Sequence, residues 1–346
     1  MSRTDDADDE PAAPHPRDTT VFFGHRDAEQ ALLESYRTGR VHHAWLIGGP
    51  AGVGKATLAY RMARFVLAHP DPAAPAVREA RSLALDPQAP VVRQVAGQAH
   101  PDLLVLERTE NEKGTLRTVI VVEQTERTVS FFGSTAGAGG WRLCIVDSAD
   151  ELNRESANKI LKILEEPPPR SLFLLVSHAP GRLLPTIRSR CRRLDLRPLG
   201  EADVAQAAAA ALGRESDDRE IEAAAEAADG SVARALTLLG GPALALRRRV
   251  MALLDALPET DPQALHALGD ALVGVDPSAL QAFLDPVRDW LSGRLATEPR
   301  EPRRLARVAE VWEKVNGAAL QAEEYNLDRK PLVFAVFGQL AEAARF

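Results

Sequence analysis

The stretch Gly49-Pro50-Ala51-Gly52-Val53-Gly54-Lys55-Ala56 decides the fold of this 346-residue chain. Its spacing is G-x-x-x-x-G-K, a phosphate-binding loop, which ordinarily closes with Ser or Thr. The glycines let successive backbone N–H groups turn inward around phosphate oxygens, and Lys55 would set a point charge against the terminal phosphates. Ahead of the loop, Ala44-Trp45-Leu46-Ile47 is a short apolar run that predicts a buried strand. Behind it, Leu58, Met62, Phe65 and Val66 recur at helical spacing. Strand, glycine-rich turn and helix are the setting the motif requires. One part is missing. The position after Lys55 normally offers a hydroxyl to Mg²⁺, whereas Ala56 offers a methyl, which cannot coordinate a hard cation. Thr57 lies about 100° further around the helix and substitutes poorly.

Further along, Arg142-Leu143-Cys144-Ile145-Val146-Asp147 is an apolar strand ending in a carboxylate, the second part of a P-loop site, where the acid helps hold Mg²⁺. Hydrolysing enzymes of this kind follow it with a Glu that activates water. Here Ser148 follows, and a hydroxyl has no basicity near neutral pH. Asp150 and Glu151 lie past the strand end and are expected as negative charge at a helix N-terminus. The candidate nucleotide-contacting set is therefore Gly49, Gly52, Gly54, Lys55, Thr57 and Asp147, a degenerate site with no metal assigned. Little or no hydrolysis is expected. No cofactor is required by this reading, which leaves room for ATP or ADP held without turnover.

Apolar residues make up 45% of the chain and charged residues 26%, enough for a packed core with an ordinary soluble surface. No apolar run approaches the ~20 residues of a membrane span, and the acidic N-terminus does not read as a signal peptide. Two cysteines, Cys144 and Cys191, suggest a reducing compartment, so a cytoplasmic location is expected. The net charge is −7, but residues 1–20 hold six acids and two bases, leaving −3 for the remainder. That balance argues against a dedicated high-affinity DNA binder, for which a basic face is expected. Residues 1–20 read as a disordered acidic tail. Residues 21–198 alternate strand-like and helix-like segments, an α/β domain with a parallel sheet, interrupted by a Pro- and Ala-rich insertion over 69–101 with no periodic core. Residues 199–243 read as a small helical domain and 244–346 as a C-terminal all-helical domain. In the latter Leu305, Val308, Val311, Trp312 and Val315 form a stripe expected to be core or subunit interface.

Several local segments occur in a telling order: Gly24-His25, Gly39 to Leu46, the loop itself, and His100-Pro101-Asp102. Then come Asn158-Lys159-Ile160-Leu161-Lys162-Ile163-Leu164-Glu165-Glu166-Pro167-Pro168 and Ser189-Arg190-Cys191. Together they resemble the bacterial clamp-loader family of AAA+ proteins, in its delta-prime branch, strongly over about 21–197. Independently of the resemblance, Asn158–Glu166 reads as an amphipathic helix with Ala157, Leu161 and Leu164 on one face, stopped by Pro167. Ser171–Ser177 reads as a buried central strand.

The resemblance implies an AAA+ P-loop domain, a helical lid and a C-terminal collar that oligomerises. It implies that Arg190 points across a subunit interface at a neighbour's ATP, where a guanidinium neutralises charge on the transferring phosphoryl group. It places His178 at a polar sensor position, a role the residue itself does not settle. Members often carry four zinc-binding cysteines in the insertion. Residues 69–101 have none, so no zinc is expected. The motor subunits carry G-S-x-R in the lid, whereas Gly230-Ser231-Val232-Ala233 here displaces the arginine to Arg234. The implied partners are motor (gamma/tau) and delta subunits in a DNA polymerase III hetero-oligomer, with the sliding clamp and primed DNA reached through the complex and no membrane. The implied role is a largely non-hydrolysing stator in DNA replication, whose only enzymatic label would come from membership of the polymerase complex. The alternative within the family is an active ATPase motor subunit, against which Ala56, Ser148 and Ala233 speak. A small-molecule P-loop kinase would leave the Ser-Arg-Cys triplet unexplained.

Overall fold

The computed structural model describes residues 14–109, 117, 119–133, 140–240, 243–272, 277–297, 302–324 and 328–345. The chain divides into two compact units, Met1–Leu236 and Thr237–Phe346. The first opens with α1 (Arg26–Arg37), β1 (Ala44–Gly48) and α2 (Lys55–Ala68). Two short helices follow, α3 (Pro75–Glu79) and α4 (Pro90–Ala96), then β2 (Leu103–Glu107), α5 (Val122–Gly133) and β3 (Arg142–Asp147). Next come α6 (Arg154–Glu165), β4 (Ser171–Ser177), the single turn α7 (Pro185–Arg188) and β5 (Arg192–Asp195). The helices α8 (Glu201–Leu212), α9 (Arg219–Glu226) and α10 (Val232–Leu239) complete the run, the last crossing the division.

The five strands form one parallel sheet in the order β2-β3-β4-β1-β5. Continuous apolar runs place β1 and β4 at its centre, and every residue of both is buried. That is the expected outcome for parallel strands covered on both faces. Side chains alternate between the faces. Trp45, Ile47, Leu143, Ile145, Leu172, Leu174 and Val176 meet the apolar sides of α1 and α2. Leu46, Cys144, Val146, Phe173 and Leu175 meet Ala157, Ile160 and Leu164 of α6. The short, arginine-bearing β5 takes an edge, where charge discourages further strand pairing.

The helix α6 starts where Asn153 accepts a hydrogen bond from the Ser156 N–H at 2.8 Å, a cap worth about 1 kcal/mol. It ends against Pro167. Its buried face runs through Ala157, Ile160 and Leu164, with Leu161, expected on that face, only partly covered. The insertion also differs from expectation. Its 69–101 sequence lacks a long period, yet Val77, Leu83 and Val95 are buried in the main core, and Val92 is buried as well. Proline at the first turn of α3 and of α4 starts each short helix, so single apolar residues suffice to anchor them. The Arg37 guanidinium holds the Val77 and Ala80 carbonyls, and the Leu83 N–H donates to Glu29.

The acid run of the N-terminal tail, within residues 1–13, lies outside the described residues. Residues 14–20, assigned to the same disordered tail from sequence, are instead laid against α2. The buried Arg64 donates to the carbonyls of Arg17 and Thr19, and Arg61 to that of Thr20 at 2.6 Å. Arg17 also pairs with Glu107 at 3.6 Å. A guanidinium offers enough fixed donors to pin an extended backbone.

The second unit comprises α11 (Ala243–Asp255), α12 (Pro262–Ala271), α13 (Pro277–Thr297), α14 (Pro302–Glu324) and α15 (Arg329–Ala344). Leu268, Phe283, Leu284, Val287, Leu291, Val333, Phe337 and Leu340 are completely or almost completely buried in it. Val308, Val311 and Val315 of the expected stripe are buried in this unit, and Trp312 is half-buried. The side chain of Leu305 lies outside the described residues. Among the described residues no helix is long and apolar enough to cross a membrane.

Candidate functional site

All five strands point their carboxyl ends to one edge, where open parallel sheets place ligands. Gly48, Glu107, Asp147, Ser177 and Asp195 terminate the strands there. The phosphate loop leaves β1 at this edge and turns into α2. Gly49, Gly52 and Gly54 have φ of 141°, 76° and 95°, values that suit glycine and strain other residues. A Cβ on Gly49 would strike the Leu196 carbonyl. Gly49, Gly52, Gly54, Lys55 and Asp147 are thus gathered in one place. Thr57 sits half-buried in the first turn of α2, and Ala56 packs against the apolar core.

Lys55 is only 3% exposed. Its ammonium donates to the Pro50 carbonyl and, at 2.9 Å, meets Nδ1 of His178. Burial pushes its pKa down to about 8, against the opposing pull of Asp147 and Asp150. Burial, followed by the positive charge of Lys55, holds His178 below its usual range. A lysine ammonium can only donate, so His178 accepts this hydrogen bond at Nδ1. Asp147 is pushed up to about 6, first by burial, then by Glu107 and Glu151, with Lys55 and Arg108 opposing. Asp150 and Glu151 lie, as expected, in the first turn of a short 3-10 helix, Ala149–Glu151, and Asp150 is a structural acceptor as well. It binds the Ser177 hydroxyl at 2.7 Å and the N–H groups of His178 and Ala179, holding the turn after β4. Glu151 pairs with Arg108 at 3.0 Å. The buried Ser148 hydroxyl has no partner among the described residues.

The start of α10 closes over the loop. The N–H groups of Val232 and Ala233 donate to the Gly52 carbonyl at 2.9 and 3.4 Å, and a Cβ on Gly52 would collide with the Ser231 hydroxyl. Arg234 turns to Asp229 at 2.5 Å. The flank is filled as well: His25 Nε2 meets the Val53 carbonyl at 3.0 Å, and Leu199 with Asp203 occupies the space beside Gly24. A magnesium nucleotide fits this donor set badly. The metal hydroxyl is a methyl, and the lysine is already bonded to protein groups. Among the described residues no group of three His, Cys, Asp or Glu is placed to hold a metal ion.

Arg190 belongs to a separate cluster. It follows α7, and its Nη2 meets Glu165 Oε1 at 2.7 Å while Nη1 donates to the Thr186 carbonyl at 3.0 Å. Its neighbours are engaged differently: Arg192 lies over the Trp45 ring at 4.8 Å, and Arg193 pairs with Asp195 at 2.7 Å. Sequence reasoning did not find the lysine–histidine contact, the seating of α10 on Gly52, or Glu165 beside Arg190. His178 lies 123 positions from Lys55, and no local spacing signals a contact at that separation.

Residues 24–200 match the family model described as "DNA polymerase III, delta subunit". The DNA polymerase III subunit delta' of Pseudomonas aeruginosa is 40% identical over 164 residues, covering 47% of this chain and 46% of that one. That of Escherichia coli K12 is 35% identical over 169 residues, covering 49% and 46%. The DNA polymerase III subunit tau/gamma of Haemophilus influenzae is 28% identical over 226 residues, covering 64% and 30%. The chain spans about half the length of the delta' relatives it matches.

Proposed function

We propose, for a chain that belongs to the DNA polymerase III delta-subunit family and so to the AAA+ clamp-loader proteins, the role of a largely non-hydrolysing stator. In this reading it packs beside a gamma/tau-type motor subunit, with a delta subunit in the same hetero-oligomer, and donates Arg190 to the motor's ATP during sliding-clamp loading. The observation that carries the non-hydrolysing half is the self-satisfied loop. Lys55 is bonded to Pro50 and His178, and the Gly52 carbonyl to the start of α10. An incoming triphosphate would have to draw Lys55 away from Pro50 and His178 and would find no hydroxyl at position 56 and no base at 148. The similarity to tau/gamma subunits over 64% of the chain supports a neighbour built on the same plan. Arg190 supports the other half, being a partly exposed guanidinium on a rigid turn. Such a group neutralises charge that develops on a transferring phosphoryl group.

The test has two arms. The isolated chain, with ATP and Mg²⁺ and with or without primed DNA, is expected to show negligible turnover. Motor-like rates abolished by Lys55→Ala would overturn the stator reading. In the assembled complex, Arg190→Ala is expected to leave assembly intact while lowering turnover at the site it serves by at least about tenfold, since trans arginines contribute 10³–10⁵ in related systems. Arg190→Lys is expected to rescue poorly, because an ammonium lacks the planar fork. Arg192→Ala and Arg193→Ala are the controls for surface charge. Equal losses at all three positions, or none at 190, would sink the assignment.

A further inference from the structure

Glu165 is the last residue of α6, and Arg190 ends the turn that follows α7. Both backbones are fixed. The helix α6 is stopped by proline, the Arg190 N–H bonds the Ile187 carbonyl at 3.1 Å, and Leu164 and Ile187 share one core cluster. Any motion that delivers the guanidinium elsewhere is thus a side-chain motion. In the free chain that guanidinium is already engaged, by the Glu165 carboxylate on one nitrogen and the Thr186 carbonyl on the other. Nothing in the stator role requires an acid at 165. An anion there is in direct competition with any phosphate that Arg190 is to meet.

The side chains are 35% and 43% exposed, and this exposure sets the strength of the contact. Water weakens such a pair so far that it shifts an equilibrium by no more than about fivefold. The contact is strong enough to hold one rotamer of a long side chain and too weak to resist a polyphosphate, whose bidentate contacts to arginine are stronger. We propose that Glu165 is a positioning residue for Arg190. It parks the guanidinium on the subunit's own surface and yields it when a neighbour presents a nucleotide triphosphate, for which it is the competing anion. This rests on the reading of Arg190 as a trans-acting group. The competition burdens the nucleotide-bound ground state and the transition state alike, because both need Arg190 released. Its removal therefore changes half-saturation and not the maximal rate.

The experiment uses the complete complex carrying Glu165→Gln, which keeps shape and an acceptor oxygen and removes the charge. Half-saturation for ATP, read by nucleotide binding and by turnover, is expected to fall about two- to fivefold with the maximal rate unchanged. In an Arg190→Ala background the same substitution is expected to change nothing. Glu166→Gln, one residue along and exposed, is expected to match wild type, and the melting curve of each variant checks its fold. Unchanged half-saturation in Glu165→Gln overturns the proposal, as does a change that persists without Arg190. If Arg190→Ala alone behaves as wild type, the trans-arginine reading falls and this proposal with it. If Arg190→Ala is impaired while Glu165→Gln is silent, this proposal alone falls.

Discussion

Asp147 is where a carboxylate is made to stay in a place that disfavours its charge. Its pKa in the fold is pushed up to about 6 from a reference of 3.8, with burial the largest cause. Between those two pH values the folded chain binds more protons at this group than the unfolded chain. Its contribution to stability therefore falls as pH rises through the window and stays at its lowest above about pH 6. Replacing the charge by an amide removes that cost. Asp147→Asn is expected to stabilise the first unit by about 1–3 kcal/mol at pH 7.5 and to have almost no effect below pH 3.8. Urea unfolding at the two pH values checks this, and equal effects at both would show that the charge is not the cause. The Lys55–His178 contact is part of the same arrangement, in which protein groups meet the polar demands a phosphate would otherwise meet.

At the scale of elements, the phosphate loop and the start of α10 fit each other so closely that only glycine is accommodated at 52. Gly52→Ala adds a methyl that collides with the Ser231 hydroxyl on a backbone already at φ 76°. It is expected to destabilise the fold by about 1–3 kcal/mol, and Ser231→Ala in the same chain is expected to recover part of the loss. The insertion tells a related story about small anchors. Leu83 is 1% exposed and reaches the main core from a segment without periodicity. Leu83→Ala is expected to cost about 2–5 kcal/mol, whereas a metal chelator is expected to leave the melting curve unmoved. A chelator-induced drop would mean that a metal, and not this packing, holds residues 69–101.

At the scale of the whole chain, each unit has its own core. Phe283 and Phe337 face one another with ring centroids 6.4 Å apart in the second unit, and Leu174 is fully buried in the first. Two-state unfolding is therefore not expected. Calorimetry is expected to resolve two transitions. Phe337→Ala should lower one by about 3–5 kcal/mol of unit stability, and Leu174→Ala should lower the other by about 2–5 kcal/mol. A single transition moved by both substitutions would show that the units unfold together.

The sequence by itself determined the elements whose signals are local. Apolar runs defined β1, β3 and β4, helical spacing defined the buried side of α2, and G-x-x-x-x-G-K defined the loop between β1 and α2. The absences at 56, 148 and 233 were equally legible, because each is a residue type that lacks a required atom. Only the tertiary structure decided which distant groups the loop, the arginine turn and the start of the first unit meet. His178 meets Lys55, the start of α10 meets Gly52, Glu165 meets Arg190, and residues 14–20 lie on α2. Each joins segments far apart in sequence through one or two polar contacts. A contact of that kind leaves no period and no composition bias, since it is fixed by where the sheet and helices carry the chain.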